Sequence, residues 1–129
     1  MIILCWLIWR NKNLTWETLQ RKGWQGPGYC VLCKEHEENN YHLFYKCSFA
    51  LEVTNTICSF LRLPNPQYNT LEECIWWWFQ RGRHLHATPI IMHWHVWCGR
   101  NGMIFADQHC TLHSISVKIY GAMESLKLK

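Results

Sequence analysis

The apolar positions of this chain fall into short clusters at helical spacing, separated by polar breaks. Met1 to Trp9 is an unbroken apolar run. Thr15 then reads as an N-cap with Glu17 in the first turn, and Gly23 can stop that helix. Gln25-Gly26-Pro27-Gly28 is a turn segment, and Tyr29 to Cys47 is an irregular loop rich in cysteine and histidine. Ala50, Val53, Ile57, Phe60 and Leu61 return to helical spacing until Pro64 and Pro66 end the run. Thr70-Leu71-Glu72-Glu73 is a capping-box pattern that opens a helix bearing Ile75, Trp76, Trp77, Trp78 and Phe79, closed by Gly82. Thr88-Pro89 predicts a cap followed by proline at the first helical position, and the helix from there carries Ile90, Trp94 and Trp97 on one stripe. Asn101-Gly102 predicts a break, and Thr111 caps a last helix carrying Leu112, Ile115, Ile119 and Met123.

No stretch alternates with period two. The fold class is therefore mainly α: a small helical domain with an irregular Cys-Cys-His-Cys knuckle. Residues 1–62 form the N-terminal part with the knuckle at 29–47. Residues 63–129 form a Trp-rich helical extension packed on it as one unit. The opening apolar run predicts a buried helix or strand. Its positive charges, Arg10 and Lys12, follow the run instead of preceding it, no small-residue cleavage site appears, and nine residues cannot span a bilayer. Its abrupt start without a cap suggests a piece of a longer chain.

Composition narrows the function. Apolar residues are 49% of the 129, enough for a core, and charged residues are 17%, against an ordinary quarter or so. Among nine acidic residues the only aspartate is Asp107. Two-metal polymerases and nucleases depend on clustered carboxylates, so no catalytic chemistry of that kind is expected. The net charge of +4 permits nucleic-acid contact without requiring it. Eight cysteines, about 6% of the chain, are too sparse and unevenly spaced for a disulfide scaffold. They suit reduced thiols in an intracellular setting, nucleus or cytoplasm.

Cys30, Cys33, His42 and Cys47 carry the sharpest signal, with spacing Cys-x2-Cys-x8-His-x4-Cys. The first pair can reach one ion from a tight turn, and the second can supply the other two corners from a helix start. Three thiolates and one imidazole complete a tetrahedral structural zinc site with no position left for a catalytic water, so one ion is expected. A redox Cys-x-x-Cys or inert buried thiols are the competing readings. His36 lies in the same loop and could replace His42, although His42 borders the apolar Leu43-Phe44 pair that can fix it in place.

Leu14-Thr15, Leu19 through Trp24, Cys30-Val31-Leu32-Cys33, His42-Leu43-Phe44 and Cys47 together resemble the zinc-binding domain of reverse transcriptases from plant LINE-type (non-LTR) retrotransposons. Trp94, Trp97, Arg100-Asn101 and Ile104-Phe105 resemble a further family segment, so the resemblance spans roughly residues 5 to 106. A tryptophan often found there soon after the last cysteine is absent, and Val53 stands near its place. The resemblance implies Cys30, Cys33, His42 and Cys47 as metal ligands. It also implies a detached, non-catalytic C-terminal piece that associates with a retroelement's RNA or DNA or with a reverse transcriptase domain. No membrane and no small-molecule substrate is implied.

The residues support nucleic-acid contact through Arg10, Lys12, Arg21 and Lys22, a basic group ahead of the knuckle, and through Tyr29, Tyr41 and Tyr45 as stacking surfaces. Glu35, Glu37 and Glu38 in the loop oppose it, and Phe44 and Tyr45 would serve equally as core. Trp76-Trp77-Trp78 cannot share one helix face, so at least one ring should be exposed or meet a partner. A zinc-scaffolded protein-interaction module and a non-functional retroelement remnant are the alternatives. The pairs His84/His86 and His93/His95 read as ordinary histidines, since residues two apart on a helix face apart. Cys5, Cys58 and Cys74 read as small buried apolar residues.

Overall fold

A computed structural model describes residues 1–127, and among these no strand is formed. Six helices make the fold: α1 (Ile2–Trp9), α2 (Trp16–Arg21), α3 (Ser48–Phe60), α4 (Leu71–Phe79), α5 (Thr88–Phe105) and α6 (Leu112–Lys127). A single π turn, His42–Lys46, leads into α3, and a short 3-10 turn, Arg83–Leu85, leads towards α5. Helix α5 is the axis of the packing. It lies against α1, α4 and α6, while α3 packs on α6 and on the π turn. Both halves thus contribute to one core, which gathers Leu4, Val53, Ile57, Trp78, Val96 and Ile119.

The helix starts follow local chemistry. Thr15 Oγ1 accepts from Thr18 N at 3.3 Å, and Thr70 Oγ1 accepts from Glu73 N at 3.1 Å, each relieving an orphan donor of the first turn. Glu73 reaches back to Asn69 N at 2.9 Å, one residue outside the usual box position. Thr111 and Ser114 exchange bonds at the head of α6. The buried stripe Ile115, Ile119 and Met123 is the one the spacing predicts.

Three expectations need correction. The opening run is a helix, but only Leu4, Cys5 and Ile8 are buried; Ile2, Ile3, Trp6 and Trp9 face outward, because α1 is covered on one side only. Thr88 is no cap. The helix takes it into its first turn, buried, with Ala87 at the cap position and no capping side chain. The inward face of α5 is Met92, Val96 and Arg100, with His93 beside it, while Ile90, Trp94 and Trp97 are half-buried flanks. Two of the buried residues there, His93 and Arg100, are polar and are satisfied by partners inside the core. Finally, α5 runs through Asn101-Gly102 to Phe105, since packing outweighs the weak propensity of one glycine.

The three adjacent tryptophans separate as helical geometry requires. Trp78 is fully buried and donates its indole N–H to the Tyr68 hydroxyl at 3.3 Å. Trp77 is half-buried under the Arg81 guanidinium, 4.2 Å from its ring centroid. Trp76 is exposed and stacks on Phe79. Cys5, Cys58 and Cys74 are buried, and burial raises all three thiols, Cys58 to about 11 and Cys74 to about 12. No helix among the described residues is long and apolar enough to cross a membrane.

Candidate metal centre

The knuckle is built from two tight local structures. In the first, Lys34 N donates to Cys30 O at 2.7 Å and Cys30 N donates to His36 O at 2.7 Å. Lys34 takes a φ of 62°, which lets the chain double back within four residues. Both sulfurs of the Cys-x2-Cys pair therefore stand on one side of a closed turn. In the second, Asn39 Oδ1 accepts from His42 N at 2.8 Å and starts the π turn. Cys47 N donates to His42 O at 2.7 Å, the five-residue closure that brings residue 47 back over residue 42.

These two structures meet. The ligand atoms of Cys30, Cys33, His42 and Cys47 all lie within 4.8 Å of one another. Tetrahedral zinc, with bonds near 2.3 Å to sulfur and 2.0 Å to nitrogen, sets two sulfurs about 3.8 Å apart and sulfur and nitrogen about 3.6 Å apart. Cys30 Sγ and Cys47 Sγ are 3.8 Å apart, and Cys33 Sγ and His42 Nε2 are 3.2 Å apart. The donor set and its spacing suit zinc. His36 is exposed and stands outside the cluster, its ring 5.1 Å from that of His42.

The electrostatics of two donors, Cys47 and His42, lean the same way. The Cys30 thiol donates to the Cys47 sulfur. That bond is the main reason Cys47 falls below the ordinary thiol range while Cys30 rises above it. Burial, with His36 nearby, lowers His42 and favours the neutral imidazole that a metal needs. The sites are filled by protein on all four corners, so such an ion would hold the loop and offer no position to a substrate.

Sequence reasoning missed the support behind this cluster. Glu38, one of the loop acids taken as opposing phosphate contact, is buried and paired with Arg100 of α5. Arg100 Nε donates to Glu38 Oε2 at 3.0 Å, Nη2 donates to Oε1, and Nη2 also donates to Leu14 O at 3.0 Å. Trp16 N donates to Glu38 Oε1 at 2.9 Å, so the same carboxylate meets the N-terminus of α2. The Trp97 ring covers the guanidinium, 4.6 Å from its centroid. A buried acid as the partner of Arg100, 62 residues away, leaves no local trace in sequence. Asn11, Asn13 and Asn40 add an amide cluster beside it.

The basic group stands where a ligand could reach it, since Arg10, Lys12, Arg21 and Lys22 are all exposed. Arg21 also makes a loose 4.0 Å pair with Glu17, worth little at an exposed site. Tyr29 and Tyr41 are exposed, 45% and 52%. Tyr45 is not available for stacking: it is 4% exposed, and its hydroxyl is bonded to His93 Nε2 at 2.9 Å. Phe44 is likewise buried and packs on the His93 ring. Both point into the core because the π turn rotates residues 43 to 45 towards α5.

The fold and the donor cluster define a small helical module organised around a Cys3His cluster that could hold a metal ion. Residues 1–53 match the model of the family described as zinc-binding in reverse transcriptase, and this segment carries that family's pattern. The match ends before the Trp and Arg-Asn segment of α5. Neither the curated proteins nor the solved structures hold a significant match.

Proposed function

We propose that the chain is a non-catalytic zinc-binding module derived from the C-terminal region of a plant LINE-type retrotransposon reverse transcriptase, holding one structural zinc through Cys30, Cys33, His42 and Cys47 and contacting RNA or DNA. The observation that carries the reading is the convergence of these four donors to within 4.8 Å of one another inside the segment that matches the family. Support for nucleic-acid contact comes from the exposed Arg10, Lys12, Arg21 and Lys22 and from the exposed rings of Tyr29 and Tyr41. The supply of carboxylates supports a module without polymerase chemistry of its own: Glu38 is consumed by its pair with Arg100, and Asp107 is the only aspartate.

Zinc-loaded protein titrated with RNA at increasing salt tests the contact, with a steep loss of affinity expected. Primer, template and magnesium should give no extension, and extension that survives stringent purification rejects the non-catalytic reading. A second reading, a protein-interaction module, is favoured by the exposed Trp76–Phe79 stack and by Trp6 and Trp9. Absence of RNA binding at low salt selects it over the first.

A further inference from the structure

A cleft of about 510 Å³ opens beside the metal centre, between the end of the π turn, α3 and the segment before α4. Its size is that of a small-ligand site, which runs from about 300 to 1,000 Å³. Four side-chain amides border it: Asn55, Asn65, Gln67 and Asn69. Among the described residues none of these amides has a protein hydrogen-bond partner, unlike Asn11 and Asn13 ahead of the knuckle and Asn39 and Asn40 within it, which are all engaged. Each free amide offers two donors and an acceptor, the complement of a base edge.

The rest of the lining selects among ligands. Lys46 borders the cleft and no carboxylate does, which disfavours a cation or a basic peptide. Leu51 and Pro66 supply apolar surface for a flat ring. Just outside, the Lys46 ammonium lies 5.6 Å over the exposed Tyr41 ring, so a stacking platform and a phosphate-binding charge stand together at the mouth. We infer that this cleft takes an unpaired base of a single-stranded nucleic acid, its edge bonded by the amides and its phosphate held by Lys46. The inference rests on the nucleic-acid contact proposed above and assigns it a place. Duplexes are excluded because their base edges are not splayed out for such a pocket.

The test uses the zinc-loaded full chain and two labelled single-stranded RNA 12-mers of mixed sequence, one intact and one with abasic positions. Fluorescence anisotropy should show the intact strand binding about tenfold more tightly. The triple variant Asn55→Ala/Asn65→Ala/Gln67→Ala alters exposed residues without internal bonds, and an unchanged thermal melt verifies its fold. It should bind both strands with the affinity that the parent shows for the abasic one. Equal binding of the two strands by the parent, or unchanged discrimination by the variant, overturns the cleft while leaving nucleic-acid contact standing. Absence of any binding at low salt overturns both.

Discussion

Arg100 and Glu38 form a buried ion pair, 1% and 0% exposed at their side chains, that ties the middle of the metal-binding loop to the far half of the chain. The pair is fully bonded: the carboxylate meets the guanidinium twice and also accepts from Trp16 N, while the arginine reaches Leu14 O and Asn101 Oδ1. Such a pair contributes little net stability compared with an apolar replacement, yet losing one member strands a buried charge. Its value here is positional. Glu38 lies between the two ligand pairs, so holding it against α5 fixes how the two halves of the knuckle approach.

Breaking the pair should therefore cost more than replacing it. Arg100→Met or Glu38→Gln should lower stability by about 3–5 kcal/mol in urea unfolding of the zinc-loaded chain. The double variant Arg100→Met/Glu38→Met should recover much of that loss. Each single variant should also surrender zinc more readily to a chelator. Single variants within about 1 kcal/mol of the parent would remove the pair from this role.

The metal content should be one zinc per chain. Cys33→Ser and His42→Ala should each weaken retention and loosen the N-terminal part, since a structural zinc contributes on the order of 10 kcal/mol to such a lobe. His36→Ala should retain zinc, because His36 stands outside the donor cluster. Loss of zinc from the His36 variant with retention by the His42 variant would reverse the assignment.

Thiol reactivity should sort the eight cysteines. Cys98 is exposed and should be alkylated first. Cys5, Cys58 and Cys74 are buried and should stay protected until global unfolding. Cys33 is only half-buried, so its protection should depend on zinc and vanish on chelation. Mass spectrometry after brief labelling reads this directly. Rapid labelling of Cys33 in zinc-loaded protein would count against its place as a ligand.

His93 should stay neutral through the mildly acid range. It is fully buried, and burial is the leading cause that lowers it from 6.5 to about 4; the bond to Pro89 O opposes this. The sign follows from proton linkage: the unfolded chain binds this proton first, so the stabilisation is complete above about pH 6.5 and is lost as pH falls towards 4. The ceiling is on the order of 3 kcal/mol. The His93 ring resonances should not move between pH 8 and 5, and a titration midpoint near 6 would contradict the burial.

Local devices were legible in the chain. Thr15, Thr70 and Thr111 announce helix starts because a cap acts within three residues, and the α6 stripe follows from helical period alone. The donor set was legible for the same reason: Cys-x2-Cys and His-x4-Cys each close through bonds a few residues long. Other features were hidden. The buried face of α5 has no local signature, because His93 and Arg100 look like surface residues until Tyr45 and Glu38 stand beside them. Tyr45 reads as a stacking ring in sequence, because nothing near it there says that the π turn aims it inward.

The amino-acid order alone thus determined the helical class, the caps at Thr15, Thr70 and Thr111, and which four side chains gather as donors in the knuckle, since these depend on spacing over a few residues and on side-chain chemistry. Only the folded chain decided which polar groups are interior, that Arg100 closes on Glu38, and that four amides are left facing a cleft. Those outcomes depend on pairings across tens of residues, where burial without a partner is too costly to survive and the partner cannot be named until the chain has brought it near.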